Sequence, residues 1–129
     1  MLFRSAAAAY SADGSVLAVG RGGEADGPNG KVFLVDPATG KKQREFSPGH
    51  LNGLTDLCFH PDGKHLLSAG RDTVVRIWSL ADGKLVKELG KPRGGQFKDW
   101  IHALSLSSDG TRLAAADMAG YVHIWQLGS

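Results

Sequence analysis

The residue types that could do chemistry are sparse in this chain. Ser68, His50 and Asp72 are the types that form a hydrolytic triad, in which a histidine takes the proton of a serine and an acid orients the histidine. A nucleophile must reach its substrate, and a structural role for these three residues, given below, is favoured over this chemistry. The sequence therefore predicts no catalytic residues and a protein that is not an enzyme.

Metal and cofactor sites are not indicated by the sequence either. Cys58 is the single cysteine and lies in an apolar run, which predicts a buried and inert thiol. The glycine-rich segment 20–30 lacks the Gly-Lys-Ser/Thr ending of a phosphate loop, and its Glu24 and Asp26 are too sparse for a calcium loop. The histidines are spread over different segments instead of standing at ligand spacing. They are His50, His60, His65, His102 and His123.

The composition is that of a globular protein rich in strands. Of 129 residues, 42% are hydrophobic and 22% are charged, and the 18 glycines fall mostly between apolar runs. The net charge of +2 is small and the basic residues are scattered, which argues against a nucleic-acid partner. No apolar run reaches the length of about 18 residues that crosses a membrane. The lone cysteine and the lack of a targeting signal favour a cytoplasmic location.

One pattern occurs three times along the chain. An Asp-Gly pair is followed by an apolar strand, and then by a second strand that ends in a large residue. The pairs are Asp13-Gly14, Asp62-Gly63 and Asp109-Gly110. A repeat of roughly 50 residues indicates one supersecondary unit used several times, and such units are stable when they stack on one another.

Each repeat predicts short antiparallel strands joined by turns. The central repeat gives a four-stranded meander whose third strand is apolar enough for burial on both faces. The third repeat lacks a fourth strand, and no segment has the 3.6-residue apolar period of a helix. The predicted strands are 6–10, 16–20, 31–36 and 42–46 in the first repeat, 54–59, 65–69, 74–80 and 84–89 in the second, and 101–106, 112–116 and 121–127 in the third.

Several features of the central repeat occur together at fixed spacings. They are Gly49-His50, Pro61-Asp62-Gly63, Leu67-Ser68-Ala69-Gly70, Asp72 and Val75-Arg76-Ile77-Trp78. This combination resembles the WD-repeat (WD40) β-propeller family. The resemblance implies an all-β fold built from four-stranded antiparallel blades. It also implies that four side chains form a buried hydrogen-bonded tetrad within the second blade. They are His50, Ser68, Asp72 and Trp78.

The flanking repeats depart from the family pattern. In the third repeat, Ala115 and Ala119 stand at the tetrad serine and aspartate positions, and Trp125 keeps the tryptophan position. In the first repeat, Val19 and Val35 replace the serine and the tryptophan. These two blades are therefore expected to rely on apolar packing.

The repeats divide residues 1–129 into three expected blades of a partial propeller. Blade 1 spans about 1–47, blade 2 about 48–90, and blade 3 about 97–129 without its outer strand. Closed propellers have about 4–8 blades, so three blades leave an incomplete ring with uncovered apolar faces. Three explanations stay open. The missing blades belong to the same longer chain, other copies supply them, or the three blades form a stable open array.

The resemblance to WD-repeat proteins implies that a partner binds on one face of the propeller, at the loops between second and third strands and the loops that enter each blade. Function tends to lie on loops that a rigid scaffold positions, and aromatic and arginine side chains are the usual anchors of an interface. A protein or peptide ligand is expected there. Trp100 is either such an anchor or a cap over the third blade. The candidate residues are Arg21, Glu24, Asp26, Arg71, Lys91, Arg93, Lys98, Trp100 and Met118.

Two classes of function fit these features. The first is a non-catalytic protein–protein interaction scaffold, as part of a larger propeller or as a self-assembling piece. The second is a regulatory or sensor propeller of a larger enzyme whose catalytic part lies elsewhere. The leading strands of the three repeats begin near Ala6, Leu54 and Ile101 and are mostly apolar, which argues against an active site at the propeller axis. The fold alone does not choose between the two classes.

Overall fold

The computed structural model describes residues 5–21, 30–50, 54–71, 74–90 and 100–127, with the side chains at 5, 6, 21, 30 and 47–50 outside that description. These residues form three antiparallel sheets of four, four and three strands and contain no helix. The predicted all-β class of unclosed blades is therefore confirmed. The strands are β1 (Ser5–Tyr10), β2 (Leu17–Arg21), β3 (Gly30–Val35), β4 (Lys42–His50), β5 (Leu54–Phe59), β6 (His65–Gly70), β7 (Val75–Ser79), β8 (Leu85–Leu89), β9 (Ile101–Leu106), β10 (Arg112–Asp117) and β11 (Val122–Gln126).

Each sheet is a meander in which consecutive strands pair with each other. The first blade has the order β1-β2-β3-β4, the second β5-β6-β7-β8, and the third β9-β10-β11. Among the described residues, β1 contacts β5 and β5 contacts β9, so the leading strands of the three blades lie side by side. The blades therefore stack in chain order.

Strand β4 differs most from its predicted extent. The sequence predicts an end at Phe46, whereas β4 continues to His50, whose backbone pairs with Gly30. A register shift between Gly30 and Val32 accommodates the longer pairing. Sheet pairing thus extends beyond the expected blade boundary at residue 47. The other strand ends lie within one residue of the prediction.

The three Asp-Gly pairs form turns of the same construction. In each turn the aspartate Oδ1 accepts a hydrogen bond from the backbone amide two residues ahead. Those amides belong to Ser15, Lys64 and Thr111, at 2.9, 2.7 and 3.0 Å. The glycine that follows each aspartate has a φ of 71° to 76°, a left-handed conformation that glycine adopts at least cost. The repeated sequence pair therefore produces a repeated turn.

Acid is expected to destabilise the fold through these turns. Hydrogen bonds from Ser15 and Ser11 lower the pKa of Asp13 to about 2, and hydrogen bonds from Thr111 and Ser107 lower the pKa of Asp109 to about 2. An unfolded aspartate titrates near 3.9. Because the folded pKa is the lower one, the stabilisation is present above pH ~4 and is lost as the pH falls towards ~2.

The measurement is the thermal unfolding midpoint as a function of pH. The double variant Asp13→Asn/Asp109→Asn keeps the Oδ1 acceptors but does not titrate, so its midpoint is expected to fall less steeply than that of the wild type below pH ~4. Parallel curves for the two proteins would contradict this account.

Two apolar layers separate the three blades. Neighbouring residues of a strand point to opposite sheet faces, so Leu66 and Trp78 face the first layer while Leu67 and Ile77 face the second. Strands β6 and β7 of the second blade are therefore buried on both faces, as the sequence predicts for β7. The first layer contains Ala18, Val32, Leu34, Phe46, Leu54, Leu57, Leu66 and Trp78. The second contains Leu67, Ala69, Val75, Ile77, Leu89, Ile101, Leu113 and Ala115.

Polar contacts also join the second and third blades. The Asp56 carboxylate accepts from the amide of Leu57 at 2.9 Å and, across the blade boundary, from the amide of Leu104 at 2.8 Å. At the Asp-Gly turns, His60 accepts from the Asp62 amide at Nδ1, so its Nε2–H donates to the Gly110 carbonyl at 2.9 Å. A Cβ at residue 110 would lie 2.5 Å from the His60 Cε1, so the contact between these two turns requires glycine at residue 110.

Candidate functional site

The predicted tetrad of the second blade is described at two of its four positions. The Trp78 Nε1 donates a hydrogen bond to the Ser68 Oγ at 2.8 Å, and both side chains are fully buried. Asp72 and the side chain of His50 lie outside the described residues, so the complete tetrad stays a prediction. The buried Ser68 hydroxyl cannot reach a substrate in water, which makes a role as nucleophile untenable.

The Cys58 thiol is half-buried, whereas the sequence predicts a buried one, and it is also unsuited to chemistry. Burial raises its pKa, and the negative charge of Asp56 raises it further. Because the thiolate is the reactive form, a raised pKa disfavours both nucleophilic attack and metal binding. Within the described ranges, no group of three or more histidine, cysteine or acidic side chains could hold a metal ion.

Three of the nominated partner-site residues meet in one cleft between the second and third blades. We call it the partner cleft; its volume is about 350 Å³. It opens where β5 and β9 begin and where β6 and β10 end, and in antiparallel sheets these ends share one edge. The lining residues are Leu54, Thr55, Arg71, Trp100, Ile101, His102 and Met118.

The floor and walls of the partner cleft differ in character. Leu54 and Ile101 are fully buried and form an apolar floor. The Arg71 guanidinium lies over the Trp100 ring, 4.2 Å from its centroid. This cation–π contact is worth about 0.5–2 kcal/mol and holds two large side chains in a fixed arrangement. A fixed arrangement reduces the entropy that is lost when a partner binds.

Met118 stands at the other wall of the partner cleft. It follows β10, and its backbone amide donates to the Trp100 carbonyl at 2.9 Å, which links the β10–β11 turn to the segment before β9. Its side chain remains 37% exposed although it is large and apolar. A flexible thioether of this kind adapts to the shape of a partner surface. Trp100 lines the same cleft.

The other nominated residues cannot be placed in the cleft. Among the candidate loops, residues 22–29 and 91–99 lie outside the described residues. The backbone of Arg21 ends β2, and its side chain is also outside the description. Their part in a partner site stays a prediction. The residues concerned are Arg21, Glu24, Asp26, Lys91, Arg93 and Lys98.

A polar pair beside the partner cleft was not anticipated from the sequence. Asp117 ends β10, and its Oδ2 accepts from the His123 Nε2 at 2.9 Å. Burial by itself raises the pKa of Asp117, but hydrogen bonds from His123, Tyr121 and Ala119 outweigh it and leave the pKa lowered. In the third repeat the tetrad positions of the family pattern fall on Ala115 and Ala119. The pattern assigns no role to Asp117, which lies between them.

The arrangement of these blades agrees with a comparison of the sequence with known protein families. Residues 40–79 and 83–126 match the family described as WD domain, G-beta repeat. The chain belongs to the WD-repeat family. Its Trp78 and Trp125 each lie in one of the two matched segments, and the predicted resemblance is thereby confirmed.

Known WD-repeat proteins are similar to most of this chain. The human WD repeat and SOCS box-containing protein 1 is 34% identical over 101 residues, which cover 77% of this chain and 23% of that protein. The small ribosomal subunit protein RACK1y of Oryza sativa subsp. japonica is 34% identical over 124 residues, which cover 94% of this chain and 34% of that protein. The actin-interacting protein 1 of Drosophila melanogaster is 36% identical over 80 residues, 61% of this chain and 12% of that protein.

The chain spans about a quarter to a third of the length of the first two of these relatives. The shared segment is the repeat region, so the likeness concerns WD-repeat blades and not the remainder of those proteins. In the described part of this chain, no helix is long and apolar enough to cross a membrane.

Proposed function

We propose that this chain is part of a non-catalytic protein–protein interaction scaffold and that a protein or peptide partner binds in the partner cleft. The observation that carries the proposal is the meeting of Arg71, Trp100 and Met118 at one edge of two stacked blades. These residues come from three separate loops, and arginine and tryptophan are the residue types that most often anchor interfaces. Membership of the WD-repeat family supports the same function.

The chemistry of the cleft indicates how a partner would be held. An apolar side chain would pack between the Trp100 ring and the exposed Met118, above the buried Leu54 and Ile101. The Thr55 hydroxyl, which donates to the Ala69 carbonyl at 3.2 Å, can accept from a peptide amide at the same opening, and His102 supplies a second polar group there. An apolar anchor ringed by a few polar groups is the usual composition of an interface centre.

The proposal extends to residues beyond the described ranges. We infer that the scaffold belongs to a larger propeller, which the length of the relatives supports. We also propose that His50 and Asp72 complete the tetrad around Ser68 and Trp78. The loops that hold the remaining candidates would extend the partner surface around the cleft.

A phage-displayed library of random peptides tests the function without a known ligand. Peptides selected on the wild-type chain are expected to lose at least about tenfold in affinity for Met118→Lys, because the substitution places a charge in the cleft wall and costs about 1.4 kcal/mol or more. The matched control is Val86→Lys on β8. Val86 is apolar and 55% exposed, but it lies outside the cleft, so its lysine variant is expected to bind the selected peptides normally.

Equal binding of the selected peptides to the wild type and to Met118→Lys would place the partner site elsewhere. Failure to select any peptide that binds the folded chain would remove the proposed function itself.

A further inference from the structure

The third blade keeps its tryptophan without a counterpart of Ser68, the residue that accepts the hydrogen bond of Trp78 in the second blade. Ala115 and Ala119 occupy the positions that correspond to Ser68 and Asp72. The Trp125 ring instead stacks on the His123 ring, with centroids 5.8 Å apart and an angle of 13° between the planes. His123 therefore touches the tryptophan on one side and bonds to Asp117 through its Nε2.

Asp117 organises the turn between β10 and β11. Its Oδ1 accepts from the amides of Ala119 at 3.0 Å and Tyr121 at 2.9 Å, while its Oδ2 accepts from His123. Its side chain is 6% exposed against 35% for His123. A carboxylate with three donors in a nearly closed site fixes both the turn and the imidazole ring.

The turn that Asp117 organises is the turn that carries Met118. The backbone amide of Met118 donates to the Trp100 carbonyl, and the amide of Asp117 donates to the Tyr121 carbonyl at 3.0 Å. Met118 directly follows Asp117 in the chain, so a substitution that moves the Asp117 side chain is expected to change the position of Met118 as well. The effect reaches the wall of the partner cleft without any contact between Asp117 and a partner.

From this geometry we propose that Asp117 and His123 are positioning residues of the partner cleft, because they hold the 117–121 turn so that Met118 faces Trp100. In the third blade His123 stacks on Trp125, whereas in the second blade Ser68 accepts the hydrogen bond of Trp78. The role of the pair in binding depends on the proposed function, whereas its effect on Met118 does not.

Methionine methyl groups report this effect directly. The chain has two methionines, Met1 and Met118, so a sample labelled at the methionine methyl carbon gives two signals. The Met118 signal is expected to be shifted by the nearby Trp100 ring. In His123→Phe, which keeps a flat ring against Trp125 and removes the donor to Asp117, that signal is expected to move towards its random-coil position.

Two further variants separate positioning from general stability. Asp117→Asn retains an oxygen for the turn amides and a group that can bond to neutral His123, so it is expected to keep the Met118 signal near its wild-type position. His65→Phe is the matched control. It breaks another histidine–aspartate pair, His65 Nδ1 to Asp62 Oδ2 at 2.7 Å, at the Asp-Gly turn of the second blade. It is expected to lower the urea midpoint without moving the Met118 signal.

The selected peptides provide the second readout. Their affinity is expected to fall several-fold in His123→Phe and to remain unchanged in Asp117→Asn and His65→Phe. An unmoved Met118 signal in folded His123→Phe would overturn the positioning role, as would an equal movement in His65→Phe. If no peptide binds the wild type, the proposed function fails while the methyl signals still decide whether the pair positions Met118.

Discussion

Replacing Trp78 with alanine is expected to lower the free energy of unfolding by about 3–5 kcal/mol. The Trp78 ring is fully buried in the first apolar layer, and its centroid lies 5.4 Å from that of Phe46 on the outer strand of the first blade. Its removal would open a large cavity between two blades that cannot easily collapse. It would also leave the buried Ser68 hydroxyl without the indole donor. Urea unfolding followed by circular dichroism measures the loss.

Two variants provide the comparison for Trp78→Ala. Trp125→Ala removes the same side chain from a half-buried position in the third blade and is expected to cost only about 1–2 kcal/mol, because less apolar surface is lost from the interior. Ser68→Ala leaves the Trp78 N–H without its acceptor and is expected to cost about 1–3 kcal/mol. Equal losses for Trp78→Ala and Trp125→Ala would show that the first layer is not the main apolar core.

Replacing Gly20 with alanine is expected to cost about 1–3 kcal/mol, although alanine normally suits a strand at least as well as glycine. A Cβ at residue 20 would overlap the Leu54 Cδ2 and lie 2.9 Å from the Leu54 Cγ. Leu54 is fully buried at the start of β5, so its side chain has little space to withdraw. The absence of a side chain at Gly20 is thus what allows β2 of the first blade to pack closely against β5 of the second.

A double-mutant cycle identifies the cause of that cost. Leu54→Ala alone is expected to lower the free energy of unfolding by about 2–5 kcal/mol. In the double variant the new methyl group at residue 20 enters the space that Leu54 vacates, so the losses are expected to be less than additive by about 1 kcal/mol or more. Strict additivity would show that Gly20 matters for a reason other than its contact with Leu54.

The blades were predictable because the information that defines them is local. Each Asp-Gly turn involves a carboxylate and amides within a few residues, and each strand shows its buried faces through alternation. The end of β4 was not predictable in this way. Its last residues include Pro48 and Gly49, which read as a turn, whereas the pairing of His50 with Gly30 joins residues that are distant in sequence.

The candidate site could be predicted only in part from the sequence. The repeat register places Arg71 and Met118 at equivalent turns of neighbouring blades, which predicts one face for both. It does not predict that the Arg71 guanidinium stacks on Trp100. The role of Asp117 was also invisible, because it depends on the three-dimensional form of the turn that places two amides and one imidazole around the same carboxylate.

The Asp56 carboxylate has a consequence for how the repeats acquire their structure. It accepts one hydrogen bond from the Leu57 amide in its own strand and one from the Leu104 amide in the third blade. One backbone amide of the third blade is therefore bonded to a side chain of the second. Separation of the two blades would exchange this bond for bonds to water, and a hydrogen bond to a charged group contributes about 1.5–3 kcal/mol to stability. The second apolar layer is shared between the same two blades. We therefore expect them to gain and lose their structure as a cooperative pair, so that a chain cut between them would divide one folding unit instead of separating two.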